Sequence, residues 1–224
     1  LLERARTSNE RTGLQEGVAE VDLRRAVILE QISKLQESKD AATRALETAG
    51  KFNNRELGLQ AKLRLASLAM SMNNAPEGKR LAAEALEEAK STGMESSLAS
   101  ALVDLSSTFY SQRQYEDAAM YAEQGMKQAE AIGAKRLGAQ ARRQLAHVRY
   151  RQNDREQEGL PLLDESDAFF RESGWQSELL RNDQVRASIL TFLDRNQAGG
   201  KGENRGVALW KQTIPRARQL DDLR

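Results

Sequence analysis

Cysteine is absent from these 224 residues, and histidine occurs once, at His147. No disulfide framework or thiolate metal site can be built. A zinc site would have to be completed by carboxylates alone. A nucleophile–histidine pair would need His147 beside an activated Ser or Thr and an orienting acid, and no local motif supplies one. Proline is equally scarce, with three residues, and aromatic side chains make up 5% of the chain. The net charge is +1, so no overall field selects nucleic acid or a membrane surface. No apolar run approaches the roughly 20 residues of a membrane-spanning helix. Gly199-Gly200-Lys201-Gly202 lacks the spacing and preceding strand of a phosphate loop and reads as a flexible connection. These absences point away from an enzyme: no catalytic residue, metal or cofactor is expected. The start shows neither methionine nor a signal pattern, which reads as a segment of a longer polypeptide. Lack of cysteine is compatible with a cytoplasmic protein, and that localisation is expected.

What the chain does have is a period. Ala45, Ala85 and Gly125 are forty residues apart, as are Leu46, Leu86 and Met126, and again Ala49, Ala89 and Ala129. Gly93 and Gly133 keep the same interval, and Thr12-Gly13 lies eighty before Thr92-Gly93. A fixed period of roughly 20–50 residues marks a repeat architecture. Within Ser96 to Gly133, Leu98, Leu102, Leu105 and Phe109 share one face of a first helix. A short connection at 111–114 leads to a second helix, with Glu116 and Asp117 in its first turn, where the helix dipole favours negative charge. Ala118, Ala119, Ala122 and Gly125 form the small face of that helix, and Gly133 supplies a left-handed stop.

This pattern resembles the tetratricopeptide repeat family in its long, forty-residue variety, as in kinesin light chains and some bacterial regulators. The family's large, large-small, large spacing appears as Leu102, Leu105-Ser106 and Phe109. Its tyrosine before a small residue appears as Tyr115 and Ala118. The family's tryptophan and Leu-Gly pair are missing. HEAT and armadillo repeats share the period, but the small-residue pattern of the second helix favours the tetratricopeptide reading. The resemblance implies an all-α fold, a right-handed α-solenoid of stacked helix–turn–helix units. Its function would be non-catalytic binding of a protein or peptide, as the sensor or scaffold part of a larger regulatory, signalling protein. Self-assembly, including a homodimer, stands as an alternative. So does nucleic-acid binding through residues 135–155.

In this register residues 1–13 are the remnant of a preceding unit. Residues 14–53, 54–93 and 94–133 are regular units, 134–174 a divergent one, and 175–224 a degenerate unit or C-terminal cap. Several departures are expected. Gly50 stops its helix early; Pro161 kinks or delays a helix in which Glu158 and Gly159 replace Ala118 and Ala119; Pro215 interrupts the last helix. Met72, Phe109, Met126, Phe169 and Phe170 are expected in the core, with Trp175 and Trp210 packed at unit edges.

Charge in the fourth unit is divided. Lys135 to Arg155 holds seven basic residues and one acid, and Glu156 to Glu172 holds six acids and one base. Either the basic helix is a binding surface or its charges are neutralised by Asp164, Glu165 and Asp167 of the next helix. The resemblance places first helices on the concave face and implies groove residues Met70, Val103, Ser107, Tyr110, Gln140, Arg143, His147, Tyr150 and Arg151. An acidic partner segment is expected there, with His147 gaining charge toward pH 6.5. Ser67, Ser107 and His147 stand where the chaperone-binding members carry asparagine, so a chaperone-tail receptor is not implied.

Overall fold

The computed structural model describes residues 2–152, 155–196 and 204–222. Among these, eleven α-helices and one short 3₁₀ turn account for the regular structure. They are α1 (Leu2–Arg11), α2 (Gln15–Gln31), α3 (Leu35–Lys51), α4 (Arg55–Ser71), α5 (Ala75–Ser91) and α6 (Glu95–Ser111). Then come α7 (Tyr115–Ala131), α8 (Lys135–Arg149), the 3₁₀ turn Glu156–Glu158, α9 (Gly159–Glu172), α10 (Gln176–Asn196) and α11 (Arg205–Asp222). The fold is an all-α repeat. The helices group into two compact units, 1–101 and 102–224, the division falling within α6.

The helices are phased by their turns. Starts fall at 15, 35, 55, 75, 95, 115 and 135, and the residues at 13, 33, 53, 73, 93, 113 and 133 all have φ between 53° and 72°. Each is the left-handed residue of a Schellman stop. After α2, the Ser33 N–H bonds the Glu30 carbonyl (2.9 Å) and the Lys34 N–H bonds the Leu29 carbonyl (2.8 Å). The same pair of bonds recurs after α7, from Gly133 to Glu130 (3.1 Å) and from Ala134 to Ala129 (2.8 Å). Glycine takes the position without steric cost, and asparagine tolerates it. Gly50 therefore does not end its helix. α3 continues to Lys51, and Asn53, at φ 53°, makes the stop.

In the first unit α1 packs on α2, α2 on α3, α3 on α4 and α4 on α5, and α2 also touches α4. The seams are alanine-rich: Ala26, Ala41 and Ala42 meet Leu29 and Leu68, and Ala19, Ala45, Ala49 and Ala61 meet Leu57. Small residues let the backbones approach. At Gly78 a Cβ would come within 2.8 Å of Met70 Cγ and 2.9 Å of the Ala66 carbonyl oxygen. The buried Asp22 carboxylate accepts from Arg6 (2.7 Å) and Arg44 (3.3 Å), tying α1 and α3 to α2.

In the second unit α7 packs on α8, α8 on α9, α9 on α10 and α10 on α11, with α10 also against α8. Pro161 delays the helix rather than kinking it: α9 begins at Gly159, after the 3₁₀ turn, with the proline in its first turn, where the missing N–H has no intrahelical role. The late start restores the pattern at an interval of forty-one. Gly159, Leu163, Ser166 and Phe170 are buried as Ala118, Ala122, Gly125 and Ala129 are. Pro215 does not interrupt α11, which continues through it. The ring removes the N–H that would bond the Lys211 carbonyl, and both residues are on an exposed stretch where water can serve that oxygen. Phe109 and Phe170 are fully buried as expected, but Met72 is 38% exposed in the turn after α4. The 199–202 glycine segment lies outside the described residues. Among the described residues no helix is long and apolar enough to cross a membrane.

Candidate binding site

The site is built in the second unit from the C-terminal turns of α6 and α8. The one-hundred-degree advance per residue puts Val103, Ser107 and Tyr110 on one face of α6, and Gln140, Arg143 and His147 on one face of α8. Tyr150 caps α8, and Arg151 follows in the turn. Tyr110 and His147 rings lie 4.2 Å apart between centroids, His147 and Tyr150 5.7 Å. The Tyr110 and Tyr150 hydroxyls are hydrogen-bonded at 3.1 Å. The Arg151 guanidinium lies 4.9 Å from the Tyr150 ring centroid, a cation–π distance. Tyr110 of α6 and Tyr150 at the end of α8, forty residues apart, thus meet with His147 and Arg151 in one cluster.

Two further rings extend this cluster. Tyr115, at the start of α7, is 5.7 Å from Tyr110, and Phe192 of α10 is 6.0 Å from Tyr150. Tyr115 has a sequence signal in its repeat position. Phe192 has none, because it lies where the repeat pattern weakens.

Burial sets the chemistry of the polar groups. His147 is half-buried, and its pKa is lowered to about 4, first by burial and then by the positive charges of Arg151 and Arg143. It is neutral near pH 6.5, contrary to the expectation that it charges there. Burial, and then the bond to Tyr150, push the Tyr110 hydroxyl up to about 12. The bond to the Tyr110 hydroxyl is the main reason that the Arg151 pKa is raised.

The other expected residues contribute unequally. Ser107 is exposed and returns its hydroxyl to the Val103 carbonyl (3.2 Å); Val103 and Gln140 are half-buried. Met70, in the first unit, is 2% exposed and packs against Gly78. It is a core residue, not a groove contact. Arg143 donates to Glu178 of α10 (2.6 Å) and to the Asn182 side-chain oxygen (3.3 Å). Burial lowers its pKa, and the bond to Glu178 opposes that. Asn182, fully buried, also donates to Asp167 (2.7 Å) and to Ser166 (2.9 Å), and the Ser166 hydroxyl donates to the Ala139 carbonyl (2.9 Å). This polar clasp joins α8, α9 and α10.

The divided charge of the fourth repeat is largely answered inside the fold. Arg142 bridges Glu130 (2.6 Å) and Glu165 (2.7 Å). Arg149 pairs with Glu123 and with Glu158. The α9 acids Asp164 and Asp167 pair with Arg186 of α10 (2.9 and 2.8 Å). Arg142 also borders a cleft of about 390 Å³ among α7, α8 and α9, floored by Ala129, Gly133, Gly138 and Ala139.

No family model matches this chain, and no curated protein matches it in sequence. Solved structures do. Putative kinesin light chain TPR-like repeats from Podospora anserina align over 91% of this chain and 95% of theirs, at 17% identity and TM-score 0.61. A Rap protein complexed with Competence and Sporulation Factor aligns over 98% of this chain and 55% of its own, at 17% identity and TM-score 0.64. A signal transduction ATPase of the STAND class with a tetratricopeptide repeat sensor, from Pyrococcus horikoshii, aligns over 99% of this chain and 34% of its own, at 17% identity and TM-score 0.63.

Proposed function

We propose, from the tetratricopeptide-type repeat fold that this chain has, that it is a non-catalytic scaffold that binds a protein or peptide, as the sensor or interaction part of a larger regulatory protein. The surface around Ser107, Tyr110, His147, Tyr150 and Arg151 takes the partner, through a segment carrying acidic side chains. The observation that carries this reading is the aromatic cluster capped by Arg151, a cation held on tyrosines at the edge of a buried core. Tyrosine and arginine supply large contact area and directed hydrogen bonds at interfaces. The likeness to a Rap protein complexed with a factor, and to a STAND protein's repeat sensor, supports a recognition role. The basic α8 is less suited to nucleic acid, because Arg142, Arg143 and Arg149 are held by carboxylates.

A photo-crosslinking residue tests this. Placed at exposed Ser107, it is expected to capture a partner that the same residue at exposed Gln124 of α7 does not. Arg151→Glu is expected to abolish that capture with the fold intact. Capture from position 124 but not from 107 would overturn the assignment.

A further inference from the structure

Resting on the binding role above, we propose that this surface selects a segment with a single carboxylate beside an apolar side chain, and that Arg151, not Arg143, reads the carboxylate. The arginines of α8 and its following turn differ in what holds them. Arg142 is held by Glu130 and Glu165, Arg143 by Glu178, and Arg149 by Glu123 and Glu158. Arg143 and Arg149 are also withdrawn from solvent, with 15% and 5% of their side-chain surface exposed. Each of these charges is already neutralised, as is Arg155 by Glu158 (2.8 Å). Arg136, which among the described residues has no carboxylate partner but lies over the Trp175 ring (4.2 Å), is at the opposite end of α8, roughly 20 Å along the helix from Tyr150.

Arg151 differs. It is exposed, and among the described residues no carboxylate pairs with it. Its neighbours are the Tyr150 ring and the Tyr110 hydroxyl. A phenol and a ring face orient a guanidinium without cancelling its charge. Arginine has five N–H donors in a planar fork, so donors remain for a bidentate carboxylate. The neighbouring His147 is neutral at ordinary pH and adds no second cation. The half-buried Val103 and the Tyr110 ring supply apolar area on the adjoining turns of α6. Among the described arginines of α8 and its following turn, Arg151 is the one exposed cation at this cluster without a carboxylate, and one such charge beside an apolar shelf matches one negative charge beside an apolar residue. A dense acidic run would present charges that the surface cannot pair.

Fluorescence polarisation with three labelled ten-residue peptides of Ser, Leu and Tyr tests this, the peptides carrying no glutamate, one glutamate or four. One glutamate is expected to tighten binding about tenfold, the scale of a single charge-assisted hydrogen-bonded contact. Four should add no more than about the statistical two- to fourfold. Arg151→Gln is expected to erase the advantage of the first glutamate. Arg142→Gln, which removes a cation paired elsewhere, should keep it; circular dichroism checks both variants for fold. Affinity that climbs steeply with each added glutamate, or an advantage that survives Arg151→Gln, would overturn the inference while leaving the Ser107 crosslink untouched. Absence of binding by all three peptides would overturn it too. Only if the Ser107 crosslink also fails does the underlying binding role fall with it.

Discussion

Replacing Arg143 by Gln separates a structural arginine from a ligand-binding one. Glu178 keeps 7% of its side-chain surface exposed and Arg143 15%, at 2.6 Å separation. Removing one partner of a buried ion pair typically costs about 3–5 kcal/mol, because the remaining charge is stranded. Two features reduce that here. Arg181 stays 3.3 Å from the other Glu178 oxygen, though its own side chain is 58% exposed, and the glutamine amide can replace part of one hydrogen bond. The bond lost to Asn182 is long, at 3.3 Å, and adds little. The expected loss is therefore about 2–3 kcal/mol. Both tryptophans, Trp175 and Trp210, belong to the second unit, so urea unfolding followed by tryptophan fluorescence reports on the unit that carries the pair. With a urea dependence of about 1–3 kcal/mol per molar, the midpoint should fall by about 1 M or more. Adding Glu178→Gln should recover most of the loss, since two neutral amides can hydrogen-bond without a stranded charge. A loss under about 1 kcal/mol, or a double variant no more stable than Arg143→Gln alone, would refute the assignment of Arg143 to the fold.

Two further predictions follow from the turns and from His147. Arg113 holds φ 60° in the turn after α6, a conformation that costs a side-chain-bearing residue about 1–2 kcal/mol. Arg113→Gly should raise the thermal midpoint by about 0.5–1 kcal/mol equivalent, after the entropy cost of glycine, whereas Gly133→Ala (φ 66°) should lower it by about 1 kcal/mol; a lower midpoint for Arg113→Gly would contradict the turn geometry. His147 has a folded pKa of about 4, below the ordinary 6.5, so between those values the unfolded chain binds a proton that the folded chain refuses. Its contribution is complete above pH 6.5 and is lost as pH falls toward 4, about 3 kcal/mol if the whole shift is realised. Urea midpoints from pH 7.5 to 4.5 should fall less steeply in His147→Gln than in the parent, and parallel curves would show that His147 is not buried as described.

The legible part of this molecule is the part set locally. The forty-residue period marks the repeat because every turn reuses one short motif and every seam needs small residues at the same heights. The all-α repeat is therefore readable from Ala45, Ala85 and Gly125 and from the glycines at 93 and 133. Where a turn residue carries no signal, as at Ser33 and Arg113, the period alone locates it. Gly50 was misleading because a helical glycine on an exposed face neither crowds a neighbour nor adopts positive φ.

The helices, their phasing and the small-residue seams are written along the chain, since each depends on residues a few positions apart or on a strict repeat. The same repeat brings Tyr110 and Tyr150 to equivalent positions, from which their hydroxyl contact follows. Which carboxylate each arginine takes depends instead on how the helices pack. Arginine side chains are long enough to choose among several helices, and proximity rather than adjacency selects the partner. Arg143 reaches past the acids of α9 to Glu178 of α10, and those acids turn to Arg142 and Arg186 instead. The neutrality of His147, the burial of Met70 and the inclusion of Phe192 likewise depend on how closely separate helices approach. Burial and pairing are properties of that approach, and no spacing along the chain encodes them.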